Sequence, residues 1–228
     1  MTTVRVARRF RGPPDSGNGG YCCGLLAGDV TSARVTLRSP PPLDVDLARE
    51  SSGEGVVLRH GEQLIGEAVP TSLSLDVPAA VSFEAAAAAR AGYAAKTEHI
   101  YPGCVVCGIT RDDDGLNLHP GPVAGTDVVA CDWRPDETLP NQGDRVAPEI
   151  AWAALDCPSY FGLRHTEKPV LLGRLEAELG SLPMVGEACV VIGWGIERDG
   201  RKLFGGSALY GENGSLHGFA RATWIELR

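Results

Sequence analysis

The feature that most restricts this chain is a plan it uses twice: a strand, a turn marked by glycine or proline, a short apolar helix and about four further strands. Two local matches carry the repetition in the same order. "LRSPPPLDVDL" (37–47) parallels "LGSLPMVGEACV" (179–190), each a strand, a serine, a proline turn and a strand. "GEQLIGEA" (61–68) parallels "NGSLHGFA" (213–220).

The first copy opens with "VRVARRF" (4–10), alternating apolar and basic as a half-buried strand does. "GPPDSGNGGYCCGLLAG" (12–28) follows. Gly17, Gly19 and Gly20 let another group approach the main chain closely, and Tyr21 to Ala27 supplies about two helical turns. A glycine turn feeding a helix start leaves N–H donors unpaired at the positive end of the helix dipole. Such a corner suits a phosphate, a carboxylate or a developing oxyanion, and equally a plain tight turn capped by Asn18. Strands are expected over 33–39 and 43–50, and two more within 55–68.

Residues 70–124 read as a connector, with a helix over "FEAAAAARAGYAAK" (83–96) and a turn-rich loop containing "CVVCG". The second copy runs from a strand at 127–133 to a helix over "PEIAWAALDCPSYFGL" (148–163), which Pro158 is expected to end or kink. Four long strands follow, with hairpin turns at Asp199-Gly200 and Asn213-Gly214. The expected units are therefore 1–69, 70–124 and 125–228.

A formal charge of −8 over 228 residues argues against a nucleic-acid-coating role. No apolar stretch approaches the ~20 residues of a membrane span, and the arginine-bearing start lacks the apolar core of a signal peptide. Seven cysteines, an odd and scattered set, point to a reducing, cytoplasmic setting with most thiols as small core groups.

In the second copy, "CVVCG…DGLNL" ahead of a strand, "WAALD" in a helix and "GRLEAEL…VGEACVV…ERDGRKLFGGSALYGENG…ARATWI" resemble hotdog proteins of the thioesterase superfamily. In the first copy, "GNGGY" stands where those families carry a glycine motif at the helix start. Together the halves resemble the double-hotdog acyl-CoA thioesterases. The resemblance implies an α+β tandem hotdog with two antiparallel sheets, each wrapping its own helix; sheet edges that would otherwise stay unpaired point to a homodimer. The resemblance also implies an acyl-CoA ligand, coenzyme A entering only as part of the substrate, and no cofactor or metal. By the same resemblance Gly19, Gly20 and Tyr21 would offer N–H groups to the thioester carbonyl, and Asp156 would be the general base; the other reading of Asp156 is a structural one, facing solvent or bonding the turn at Pro158-Ser159. Asn18, Tyr160 and Thr223 are the expected substrate contacts. The chain departs from the family beside the aspartate: "ARATWIE" offers Thr223 where a glutamine is usual, and Ser159, Tyr160 and Thr166 form no recognisable hydroxyl motif. A non-catalytic acyl-binding protein is therefore the rival reading, and a hydratase or dehydratase the third.

Other constellations compete less well. His99, Cys104, Cys107 and His119 give H-x4-C-x2-C-x11-H, a zinc-compatible set without standard finger spacing; a redox pair or turn-packing thiols are the other readings. Gly17-x-Gly19 lacks the third glycine of a dinucleotide fingerprint. Asp112 to Asp114 read as a solvated acidic turn rather than a calcium loop, and Glu149 as a helix-start acid. Arg8, Arg9 and Arg11 stand where coenzyme A phosphates would be met, or simply on an edge strand.

Overall fold

The computed structural model describes residues 2–111, 114–163 and 169–227. Asp112 and Asp113 of the acidic turn, and Thr166, lie outside the described residues. The first elements are β1 (Thr2–Arg5), α1 (Gly19–Ala27), β2 (Ser32–Leu37), β3 (Asp46–Ser52), β4 (Gly55–His60) and β5 (Gln63–Pro70). α2 (Phe83–Ala89) and the short β6 (Gly121–Pro122), β7 (Val129–Trp133), β8 (Asn141–Gln142) and β9 (Arg145–Val146) follow. The chain then forms α3 (Pro148–Ala154), α4 (Asp156–Phe161), β10 (Val170–Leu179), β11 (Cys189–Asp199), β12 (Lys202–Tyr210) and β13 (Leu216–Glu226).

Among the described residues, eleven strands form one antiparallel sheet in the order β1-β3-β4-β5-β2-β10-β13-β12-β11-β7-β6. Two separate sheets were expected. Instead β2 and β10 pair antiparallel, from Arg174 opposite Thr36 to Glu178 opposite Ser32, and fuse the halves into one sheet. The pairing satisfies backbone donors and acceptors that would otherwise line two open edges. No helix is long and apolar enough to cross a membrane among the described residues.

α1 is small and apolar all round, and is therefore buried rather than laid on the surface. α3 buries Trp152, Ile150 and Ala151 fully. The helix expected over 148–163 breaks at Leu155, three residues before Pro158. The proline ring conflicts with the carbonyl four residues earlier, that of Ala154, so the bend falls there and Pro158 sits inside the first turn of α4. The expected helix over 83–96 stops at Ala89 and tightens into a 3-10 turn over Arg90–Gly92.

The first strand also ends early, at Arg5. Residues Arg8–Phe10 turn instead, which stacks the Phe10 ring on Tyr21 at 4.1 Å and turns the Phe10 carbonyl toward the Asn18 N–H, 2.8 Å away. Tertiary packing here overrides the alternation of the sequence.

Close contact between α1 and the α3–α4 pair rests on two glycines four residues apart. A methyl group built on Gly24 would lie 2.4 Å from Glu149 Cα, and one on Gly20 would lie 2.7 Å from the Trp152 carbonyl oxygen. Exposed helix positions gain about 1 kcal/mol on exchange of glycine for alanine. Gly24→Ala is expected to do the reverse and cost about 1–3 kcal/mol, because the backbones must move apart. Urea denaturation measures the sign, and a stabilised variant would contradict this packing.

Candidate active site

The first residue of α4 is Asp156, 2% exposed. Its Oδ2 accepts from the Gly20 N–H at 2.9 Å and from Asn18 Nδ2 at 2.8 Å. Its Oδ1 is buried with no hydrogen-bond partner among the described residues. Burial pushes the carboxyl up to about 7; the Gly20 N–H and the Asn18 amide pull it down, and the Cys104 thiol adds to the rise. A lone oxygen of a desolvated carboxyl is the arrangement expected of a proton acceptor.

The donors at the start of α1 can be assigned one by one. Asn18 N–H goes to the Phe10 carbonyl, Gly20 N–H to Asp156, and Tyr21 N–H to Asn18 Oδ1 at 2.9 Å. Gly19 N–H has no protein acceptor among the described residues, and Gly19 lines the cavity beside Asp156. The expected three-residue oxyanion corner thus reduces to one free donor. Gly20 serves the carboxylate, while Tyr21 is capped and buried in the core against Phe10. Asn18 is both the helix cap and the clamp on Asp156.

A cavity of about 830 Å³ opens at this corner. Its lining is mostly apolar, with Leu37, Ile100, Tyr101, Phe161 and Leu172 beside Tyr160 and Trp224. Tyr160 packs 5.4 Å from Trp224, whose indole N–H donates to Ser159 Oγ at 3.0 Å. Thr223, between Arg174 and Phe204 in the sheet register, does not line the cavity. The structure therefore brings together Asn18, Gly19, Gly20, Asp156 and Tyr160, and leaves Thr223 outside. Arg8 and Arg9 pair with Asp44 and Asp114. Ser181, His217 and Glu187 form a hydrogen-bonded chain away from this cavity, where Glu187 also receives the Met184 and Glu212 N–H groups and fastens two turns.

The four-ligand set suggested by spacing does not assemble. His119 is bonded to Arg90 and to the Gly108 carbonyl, and His99 Nδ1 accepts from the Tyr101 N–H. A third thiol takes their place: Cys157 lies 3.2 Å from Cys107 and 3.9 Å from Cys104, measured between sulfurs. Sequence reasoning missed this grouping. Its signal was the cysteine directly after Asp156 in "ALDCP", some fifty residues from the pair.

Asn18→Ala removes the cap and the bond to Asp156, whereas Asn18→Ser keeps a capping oxygen. Urea denaturation should place the alanine variant about 1 kcal/mol below the serine variant. Equal stabilities would show that the Asn18–Tyr21 cap contributes nothing.

No family model matches the chain, and no curated protein sequence matches it. Solved structures do. A tesB protein of Mycobacterium avium subspecies paratuberculosis is 10% identical, with 99% of this chain and 92% of that one covered at a TM-score of 0.62. A candidate thioesterase of Novosphingobium aromaticivorans is 12% identical, with coverage of 99% and 95% and a TM-score of 0.63. A hot dog fold protein of unknown function from Alicyclobacillus acidocaldarius is 9% identical, covering 99% and 92% at 0.61. These likenesses show the fold: the chain has a hotdog-type α+β architecture.

Proposed function

We propose that this protein is a tandem hotdog that hydrolyses acyl-CoA thioesters, with units 1–69 and 125–228 supplying opposite walls of one cleft and 70–124 closing it. The observation that carries this reading is that Gly19 of α1 and Asp156 of α4 both line one apolar cavity. The thioester carbonyl oxygen accepts from Gly19 N–H. Water attacks the carbonyl carbon while its proton passes to Asp156 Oδ1, Oδ2 staying clamped by Gly20 and Asn18. The tetrahedral oxyanion is held by the preorganised donor. Its collapse breaks the C–S bond, and the proton on Asp156 neutralises the departing coenzyme A thiolate. The acyl chain occupies the apolar slot, whose volume suits a ligand of this size.

The absence of Thr223 from the cavity favours the rival reading, an acyl-binding protein without turnover, because no hydroxyl from the last strand reaches the water. A panel of acyl-CoA substrates with detection of released thiol separates the two. Asp156→Asn should lower kcat by about 10²–10⁴ with folding intact, the range expected for loss of a general base. Tight acyl-CoA binding without thiol release in the unmodified protein would instead establish the binding role.

A further inference from the structure

Three thiols from two distant parts of the chain converge where the connector meets α4. Cys104, Cys107 and Cys157 are each less than a tenth exposed, and their sulfurs all lie within 4.8 Å of one another. Thiolates at the corners of a tetrahedral zinc site, each about 2.3 Å from the metal, stand about 3.8 Å apart. The Cys104–Cys157 separation of 3.9 Å already matches this edge, and the 3.2 Å between Cys107 and Cys157 has to open by about 0.6 Å.

The backbone around the pair is fixed before any ligand arrives. Gly108 N–H donates to the Cys104 carbonyl at 2.9 Å, closing a tight turn over the two cysteines. A methyl group on Gly108 would lie 2.4 Å from the Pro102 carbonyl oxygen and 2.5 Å from that of Cys104, so this turn requires glycine. Val105 N–H to Arg11, and Leu116 and Leu118 N–H to Val105 and Val106, strap the turn to neighbouring segments, each at 2.8 Å. C-x2-C on a glycine-closed turn, with a third cysteine brought in from a helix, is ligand spacing of the zinc type.

We propose that Cys104, Cys107 and Cys157 bind a thiophilic divalent cation, Zn2+ by ligand chemistry, with its fourth position open to the cavity that all three cysteines line. On binding, the three thiols release their protons and the sulfurs bind as thiolates. His99 is not the fourth ligand in this arrangement: its Nδ1 accepts the Tyr101 N–H at 2.9 Å, which places the proton on Nε2 and leaves that nitrogen a donor. Asn18 Nδ2, 3.9 Å from the Cys104 sulfur, orients that sulfur from outside the ligand set. Through Asn18 the metal site and Asp156 share one contact, yet metal affinity is read without any turnover, so this inference and the hydrolytic reading fail separately.

The test uses the full chain, reduced and stripped of metal with a chelator, titrated with Co2+ and then with Zn2+ against a chromophoric chelator. One equivalent of Co2+ should bind with a thiolate-to-cobalt charge-transfer band and tetrahedral visible bands, and Zn2+ should displace it. Cys107→Ser and Cys157→Ser should each weaken Zn2+ binding at least about 10-fold. Cys131→Ser, a buried thiol outside the cluster, should leave it unchanged. The cobalt spectrum of the unmodified chain decides the matter even where a serine variant fails to fold. Absence of the charge-transfer band overturns the proposal, as does a Cys107–Cys157 disulfide that persists under reductant or full Zn2+ affinity in folded Cys157→Ser.

Discussion

Direct backbone contact between α1 and the α3–α4 pair is the constraint on which the rest of this molecule depends. Gly20 and Gly24 face Trp152, Ala153, Asp156 and Glu149 with no side chain of their own between. Any larger residue there would push the helices apart and carry the Gly20 N–H away from the carboxylate it now meets at 2.9 Å. The same approach leaves Gly19, one residue earlier, at the wall of the cavity. The packing of the helices and the holding of Asp156 thus have a single cause, the small residues on one face of a nine-residue helix.

Burying Asp156 is costly, and the structure offsets only part of that cost. Two donors hold one oxygen; the other has none among the described residues. An unpaired buried acceptor is destabilising by about 1–3 kcal/mol. Glu226 also has one buried unpartnered oxygen, so what sets Asp156 apart is its place at the wall of the apolar cavity. Cys157, the next residue of the same helix, meets Cys104 and Cys107 of the connector beside this corner.

Much of the plan was legible in the sequence because it rested on local signals. The strand–helix–meander pattern, the turns at Asp199-Gly200 and Asn213-Gly214, and the helix opened by Pro148 all left marks within a few residues of the feature itself. The glycine corner left a mark in its residue types before a short apolar run, whereas Asp156 was reached only through the family resemblance. What escaped was long-range. β2 pairing with β10 depends on two edges some 140 residues apart. The joining of Cys157 to Cys104 and Cys107 depends on how the connector folds over α4. The capture of Gly20 and Tyr21 N–H groups by Asp156 and Asn18 is likewise invisible without the tertiary contact, and sequence reasoning offered these donors to a substrate instead. Thr223 was placed at the site by analogy of position, but in the sheet register it lies outside the cavity.

A crystal structure of the protein with a non-hydrolysable thioether analogue of an acyl-CoA tests the central claim most directly. The account predicts the analogue's carbonyl oxygen within about 3 Å of Gly19 N–H, its acyl chain in the cavity between Tyr160 and Leu172, and Asp156 still clamped by Gly20 and Asn18. An analogue seated elsewhere, or a carbonyl bound away from Gly19 with Asp156 sealed off from it, would contradict the account.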